Sequence, residues 1–312
     1  MYHIDREDGL SEVVGFILIL GLIVVAMSVY LIYEIPSQGR ENEIKHMNDI
    51  KNRFVDFKIS LDSLWINSVG SYTGSSLKYP TYGVTLANSF DLGTSGGFYT
   101  GGSDIMPFFT PIPSSGTMSV DKNHGSIRVT MNEGEEVLNT TLGILKYSSQ
   151  NNYWVEQDYY YQMGGVFLLQ DSGITIRVDP LVSIYNVGGK AAVQITPVSV
   201  SGEQFLGGSG PLRVEARLKQ APQYLSGKRQ AKKVTITVYC ENADEADCWE
   251  RVFKNTLARE GTSNWCELRV AGNIVSANVH GPDVSGASND VELDVYRADY
   301  NVWLQNVASA IE

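Results

Sequence analysis

The chain is poor in the residues that usually build catalytic or metal centres. Its 312 residues include three cysteines and four scattered histidines, His3, His46, His124 and His280. There is no H-E-x-x-H pair, Walker-type phosphate loop, spaced metal-carboxylate loop or C-x-x-C pair, so the usual signatures of zinc, nucleotide and calcium chemistry are missing. Charged residues make up only 19 %, which does not suggest extreme salt adaptation, and the formal charge of −11 argues against a nucleic-acid-binding surface. Gly93-Thr94-Ser95-Gly96-Gly97 spells G-x-S-x-G, yet a nucleophile elbow needs a strand before the serine and a helix after it. Phe98-Tyr99-Thr100-Gly101-Gly102 follows instead, a poor helix start, and a surface loop is the better reading. Asp121, Glu133, Glu135 and Glu136 read as solvated turn residues rather than ligands. Nothing in these residues argues for an enzyme or a cofactor.

Long apolar runs are also scarce: there is one. It extends unbroken from Val13 to Tyr33 with a single serine, Ser28, and no charged residue. At 1.5 Å per residue it spans roughly 30 Å, the thickness of a bilayer's hydrocarbon core. It is longer than the apolar region of a secretory signal, about 7–15 residues, and the leader before it lacks a basic segment. The reading is a retained single-pass membrane helix over residues 10–35, after a leader at 1–9. The charge rule for orientation gives Arg6 before the run and Arg40, Lys45, Lys51 and Arg53 after it, which taken literally puts the large domain in the cytoplasm. Two other features favour the outside: the glycosylation sequon Asn139-Thr140-Thr141 and the close spacing of Cys240, Cys248 and Cys266. The three cysteines allow one disulfide and a leftover thiol, or three inert buried thiols.

Beyond the run, Pro36-Ser37-Gln38-Gly39 predicts an interruption. Ile44, Met47, Ile50, Phe54, Phe57, Leu61 and Leu64 then recur at helical spacing, an apolar stripe on a stalk helix over residues 36–65. Glu43 falls outside that stripe. Such a stripe can pack on its own β domain or against neighbouring subunits. Residues 66–240 are rich in Gly, Ser, Thr, Val and Tyr with frequent turn signals, the pattern of a mainly antiparallel β-sandwich. Among its strands are Ala191–Val200 and a tyrosine-rich segment. There Tyr153, Trp154, Tyr159, Tyr160 and Tyr161 suit either a sugar-stacking platform or cross-strand aromatic pairing. After Cys240 an acidic entry leads into Trp249, Val252, Phe253, Thr256 and Leu257 at helical spacing, followed by strands including Val291–Tyr296, with Tyr300–Val307 as a last strand or short helix. This reads as a small α/β module at 241–312 packed on, or inserted into, the head. The fold class expected is α+β.

The segment Asp8-Gly9-Leu10-Ser11-Glu12-Val13-Val14-Gly15-Phe16-Ile17-Leu18 resembles an archaeal type IV pilin-like precursor. The resemblance implies that a prepilin-type peptidase cuts between Gly9 and Leu10 and leaves the apolar helix in place. The remainder is similar to large pilin-like surface proteins of methanogenic and halophilic archaea through Gly164-Gly165-Val166-Phe167, Asp179–Val187 and Ala246–Phe253. Asp8 stands where a basic residue is often found. Glu12 lies two residues nearer the cut than the glutamate that in bacterial pilins pairs with a neighbour's α-amine, and it reads equally well as an acid at the membrane rim. Gly15 and Gly21 are small enough for close helix approach, or are ordinary membrane-helix glycines.

The resemblance implies a non-enzymatic, minor or accessory pilin-like subunit. It would sit in the cell membrane with an extracellular, adhesive head and assemble with like or unlike pilins in a surface filament. The rival expectation is an unpolymerised, membrane-tethered protein that binds polysaccharide or S-layer.

Overall fold

The structure, a computed structural model, describes residues 6–70, 83–94, 110–132, 134–220, 223–283, 285 and 288–306. A continuous helical rod opens it. Helix α1 (Arg6–Val29) passes through one π-helical turn, Tyr30–Glu34, into helix α2 (Ile35–Gly70). The rod is about 100 Å long at 1.5 Å per residue, and from Glu12 onward it is long and apolar enough to cross a membrane. The interruption expected at Pro36–Gly39 does not occur. The Ile35 N–H bonds back five residues to the Tyr30 carbonyl, and this wider turn absorbs the donor that Pro36 lacks before the α register resumes.

Among the described residues, the buried side chains of the rod lie in its second half. From Val13 to Tyr33 the side chains are exposed almost throughout, whereas Ile35, Glu43, Met47, Ile50, Phe54, Phe57, Leu61 and Leu64 are buried. The buried stripe therefore packs on the protein's own head. Ile44, expected in the stripe, is only half-buried; the face instead continues toward the N-terminus through Glu43, Gly39 and Ile35.

The head is α+β and mostly antiparallel. Its strands are β1 Thr85–Asp91, β2 Ser115–Asp121, β3 Ser126–Met131, β4 Glu135–Thr141, β5 Ile144–Gln150, β6 Asp158–Gln162, β7 Gly165–Gln170, β8 Gly173–Val178 and β9 Val182–Val187. They continue as β10 Lys190–Ile195, β11 Val198–Ser201, β12 Glu203–Gly208, β13 Pro211–Leu218, β14 Gln223–Ala231 and β15 Val234–Tyr239. Helix α3 (Ala243–Arg259) precedes β16 Cys266–Ala271, β17 Ile274–Val279 and β18 Val291–Asn306. One sheet runs β12-β2-β5-β6-β7-β8 and a second β16-β17-β15-β3-β4. The third is organised on β18, which pairs antiparallel with β13 and β14 and parallel with β10 and β11.

Two cores result, with shared walls. Tyr159 and Tyr161 of β6 face the core under α2, with Val166 and Leu168 of β7. Tyr160 and Phe167, the alternate residues, face the core under α3, with Trp249 and Phe253. The period-2 alternation of a strand thus places consecutive tyrosines in different cores. Strand β18 does the same along its length: Val291, Leu293 and Val295 enter the α3 core, and Ala298, Tyr300, Val302 and Leu304 enter the α2 core. The ladders also cross the boundary expected at residue 240. Strand β17 pairs with β15, and β18 with β10, β11, β13 and β14, so the C-terminal strands are built into the sheets of the head. Ala191–Val200, expected as one strand, is two, β10 and β11.

A polar network closes the α3 core. Asn242 caps α3 by accepting the Glu245 N–H at 2.9 Å, and Glu245 Oε2 accepts the Glu241 N–H at 3.2 Å, a reciprocal cap of the kind that satisfies free amides at a helix start. Glu245 Oε1 also meets His124 Nε2 at 2.8 Å. Gln162 accepts from the Trp249 indole N–H at 3.2 Å and donates to the His124 carbonyl at 3.3 Å. Burial disfavours a charged His124 ring, but the Glu245 hydrogen bond and the charges of Glu245, Glu241 and Asp121 outweigh it and its pKa is raised. Folding then holds the proton more tightly than the open chain does. The pair stabilises the head fully below the unfolded value of about 6.5, and that contribution is lost as pH rises through the folded value. His124→Gln is therefore expected to lower the thermal midpoint more at about pH 5.5 than at about pH 8.5; an equal effect at both would contradict the pairing.

Candidate functional site

The feature that joins rod to head lies on the first turns of α2. Glu43 is 1 % exposed. Its two oxygens accept consecutive backbone amides of the loop between β5 and β6: Asn152 N–H at 2.6 Å on Oε1 and Tyr153 N–H at 2.9 Å on Oε2. A carboxylate loses strong hydration when buried, and two charge-assisted bonds are what make this burial tolerable. One turn earlier, Gly39 is buried with the Tyr153 ring lying where a Cβ would be, so any larger residue there would overlap the aromatic ring. The Arg40 guanidinium sits 4.4 Å from the centroid of Trp154, a cation–π contact of the exposed kind. The loop is tied in turn to its neighbour: the Tyr153 hydroxyl accepts from Ile112 N–H at 3.1 Å, and Asn152 Nδ2 donates to the Pro113 carbonyl at 3.1 Å.

His46 extends the clasp inward. Its Nε2 lies 3.1 Å from the Tyr147 hydroxyl, which itself donates to the Leu92 carbonyl at 2.8 Å; this leaves the imidazole nitrogen as the donor. Burial lowers the His46 pKa despite the charges of Asp91 and Asp49, so the ring is neutral at neutral pH. Farther along α2, Phe54 packs edge-on to Phe90 and Phe57 edge-on to Tyr161, each at 5.3 Å, and the Tyr300 hydroxyl donates to the Leu61 carbonyl at 2.7 Å. The site is a mechanical junction with directional polar bonds at its outer end.

Several expected site residues fall elsewhere. Tyr159, Tyr160 and Tyr161 are buried and offer no sugar-stacking platform, because alternate residues of β6 are consumed by the two cores. Tyr153 and Trp154 are half-buried and engaged with the rod. No disulfide forms: Cys240, Cys248 and Cys266 are all free. Cys266 is level with Val279 and Val234, whereas Cys240 lies six residues along from Val234, roughly 20 Å at strand spacing, beyond the Cα separation of about 7 Å that a disulfide tolerates. Cys240 and Cys248 share the α3 core unbridged. Burial pushes the thiols of Cys240 and Cys266 up to about 12 and that of Cys248 to about 11, which leaves them protonated and unreactive.

Asn139 is exposed on β4, an edge strand, so its amide is accessible. Glu135 and Glu136 form ion pairs with Arg229 and Arg128. Glu12 is exposed, and among the described residues no atom lies within 4 Å of a Cβ placed at Gly15 or Gly21. Gly9 and Leu10 lie within α1. Ser95 and Glu133 lie outside the described residues. Among the described residues no group of three or more His, Cys, Asp or Glu is placed to hold a metal ion.

No family model, curated protein or solved structure matches this chain. The clasp itself was missed in the sequence because a glycine and a glutamate do not read as a packing face. The signal was there: Ile35, Gly39, Glu43 and Met47 continue the stripe at spacings of four.

Glu43→Ala leaves two inward-facing amides without their acceptor. It is expected to destabilise the full chain in detergent micelles by about 3 kcal/mol, at 1.5–3 kcal/mol for each bond to a charged group with partial recovery by water. A thermal midpoint equal to that of the parent chain would contradict the clasp.

Proposed function

We propose that the protein is a membrane-anchored, non-enzymatic surface subunit, a pilin-like building block whose bare helix serves first as anchor and then as assembly element. The observation that carries this reading is the division of one helix into two fates. The half from Ile35 onward is welded to the head, while Val13–Tyr33 presents apolar side chains on every face. An all-round apolar helix belongs in lipid or in the company of other apolar helices. Removal from lipid would be offset only by burying that surface, at roughly 25 cal/mol per Å², and identical neighbouring helices offer the matching length. Gly15 and Gly21, with open space at both Cβ positions, suit close approach of such neighbours.

On this reading the head faces the cell exterior, the clasp fixes how it projects from a helical core, and Asn139 is open to a glycan. A prepilin-type peptidase would act between Gly9 and Leu10. The alternative of a binding protein that works through the tyrosine cluster loses support, since three of the five aromatics are in the cores.

The experiment is intact-mass and N-terminal peptide analysis of protein recovered from native cell envelopes. A mature chain that starts at Leu10 is expected. A chain that retains Met1 would overturn the pilin-like reading and leave a plain single-pass surface protein.

A further inference from the structure

The base of the head carries apolar side chains that neither core uses. Ile112 is 64 % exposed and Val155 51 %. Both stand on loops that the clasp holds against the rod at the level of Gly39 to Glu43. Half-buried Trp154 is beside them under Arg40, and Tyr30 and Tyr33 are exposed on the rod just below.

Register along the rod says what this surface meets. With Val13–Tyr33 filling the hydrocarbon, Gly39 stands six residues past Tyr33, about 9 Å along the axis. The headgroup layer on each side of a bilayer is about 5–8 Å deep. The two loops therefore hang at the outer edge of that layer, with Ile112 and Val155 within side-chain reach of it. Tyr and Trp are the side chains favoured at this depth, having an apolar body and a polar tip. The exposed charges at this level, Arg40 and Lys45 against Glu34, Glu41 and Glu156, carry no net attraction for anionic lipid, so the contact is apolar and aromatic in character.

We propose that loops 110–113 and 151–155 form a second membrane contact, which seats the base of the head on the phospholipid interface through Ile112, Val155 and Trp154. This rests on the reading of Val13–Tyr33 as a bilayer-spanning anchor. Two points of attachment, one through the bilayer and one on it, fix the tilt of the head while the protein is membrane-bound. Leaving the membrane exposes both surfaces together.

The test uses the full chain in phosphatidylcholine nanodiscs. Ile112→Cys, Val155→Cys and, as control, Val187→Cys are each made with Cys266→Ser and labelled with an environment-sensitive fluorophore. Val187 is 52 % exposed and pairs with Lys190 beside the start of β18, roughly 50 Å from the base along that strand. Headgroup-attached nitroxide lipid is expected to quench the labels at 112 and 155 several-fold more than the label at 187, and to do so equally at low and high salt. Co-flotation with liposomes reports the anchor separately. Intact flotation with equal quenching at all three positions overturns this proposal alone; loss of flotation overturns the anchor reading and this proposal with it.

Discussion

The arrangement of the molecule turns on the bond between a buried carboxylate on the rod and two successive amides of a loop in the head. Apolar packing by Met47, Ile50, Phe54, Phe57, Leu61 and Leu64 supplies most of the attraction between α2 and the sheets, but it is non-directional and tolerates sliding. Glu43 is not. Its two oxygens accept amides at 2.6 and 2.9 Å, and any shift of the rod by a turn would leave a desolvated charge and two orphaned donors. The carboxylate thus fixes register and rotation where packing alone sets only contact. Gly39 allows the approach, and the π turn at Tyr30–Glu34 lies immediately before it, where Pro36 would otherwise have broken the helix.

That fixed point has consequences at both ends of the molecule. Outward, it decides where the exposed apolar half of the rod begins and at what height the base loops sit above it. Inward, force on the rod passes through β6, whose tyrosines enter both cores, and through β18, which pairs with four strands and contributes to both cores. The head is tied together by these two shared walls. The capped start of α3 and its His124 partner close the far core.

Much of this was legible in the sequence, and what was not has physical reasons. The α+β class, the apolar run, the stalk stripe from Met47 to Leu64, and α3 with its apolar face all followed from periodicity. Strand β18 looks from sequence like a strand followed by a second strand or short helix, because its alternation changes phase: odd residues are buried up to Val295 and even ones from Ala298 onward, as one strand passes from one core to the other. The tyrosine run could not be assigned to a surface or a core, since alternation places residues on two faces and only a second core makes both faces interior. Close spacing suggested a disulfide among the cysteines, but strand register separates Cys266 from Cys240. Glu43 was misplaced because a charged residue is ordinarily solvent-facing, and its amide partners lie over a hundred positions away.

Glu43 locks the rod to the head through the amides of Asn152 and Tyr153. Amide hydrogen exchange on the unmodified full chain in micelles reads this lock at its two donors. Those two amides sit in a loop, yet they are predicted to exchange as slowly as amides within β18. Exchange at the fast rate of exposed loop amides would contradict the lock and leave the rod held by apolar packing alone.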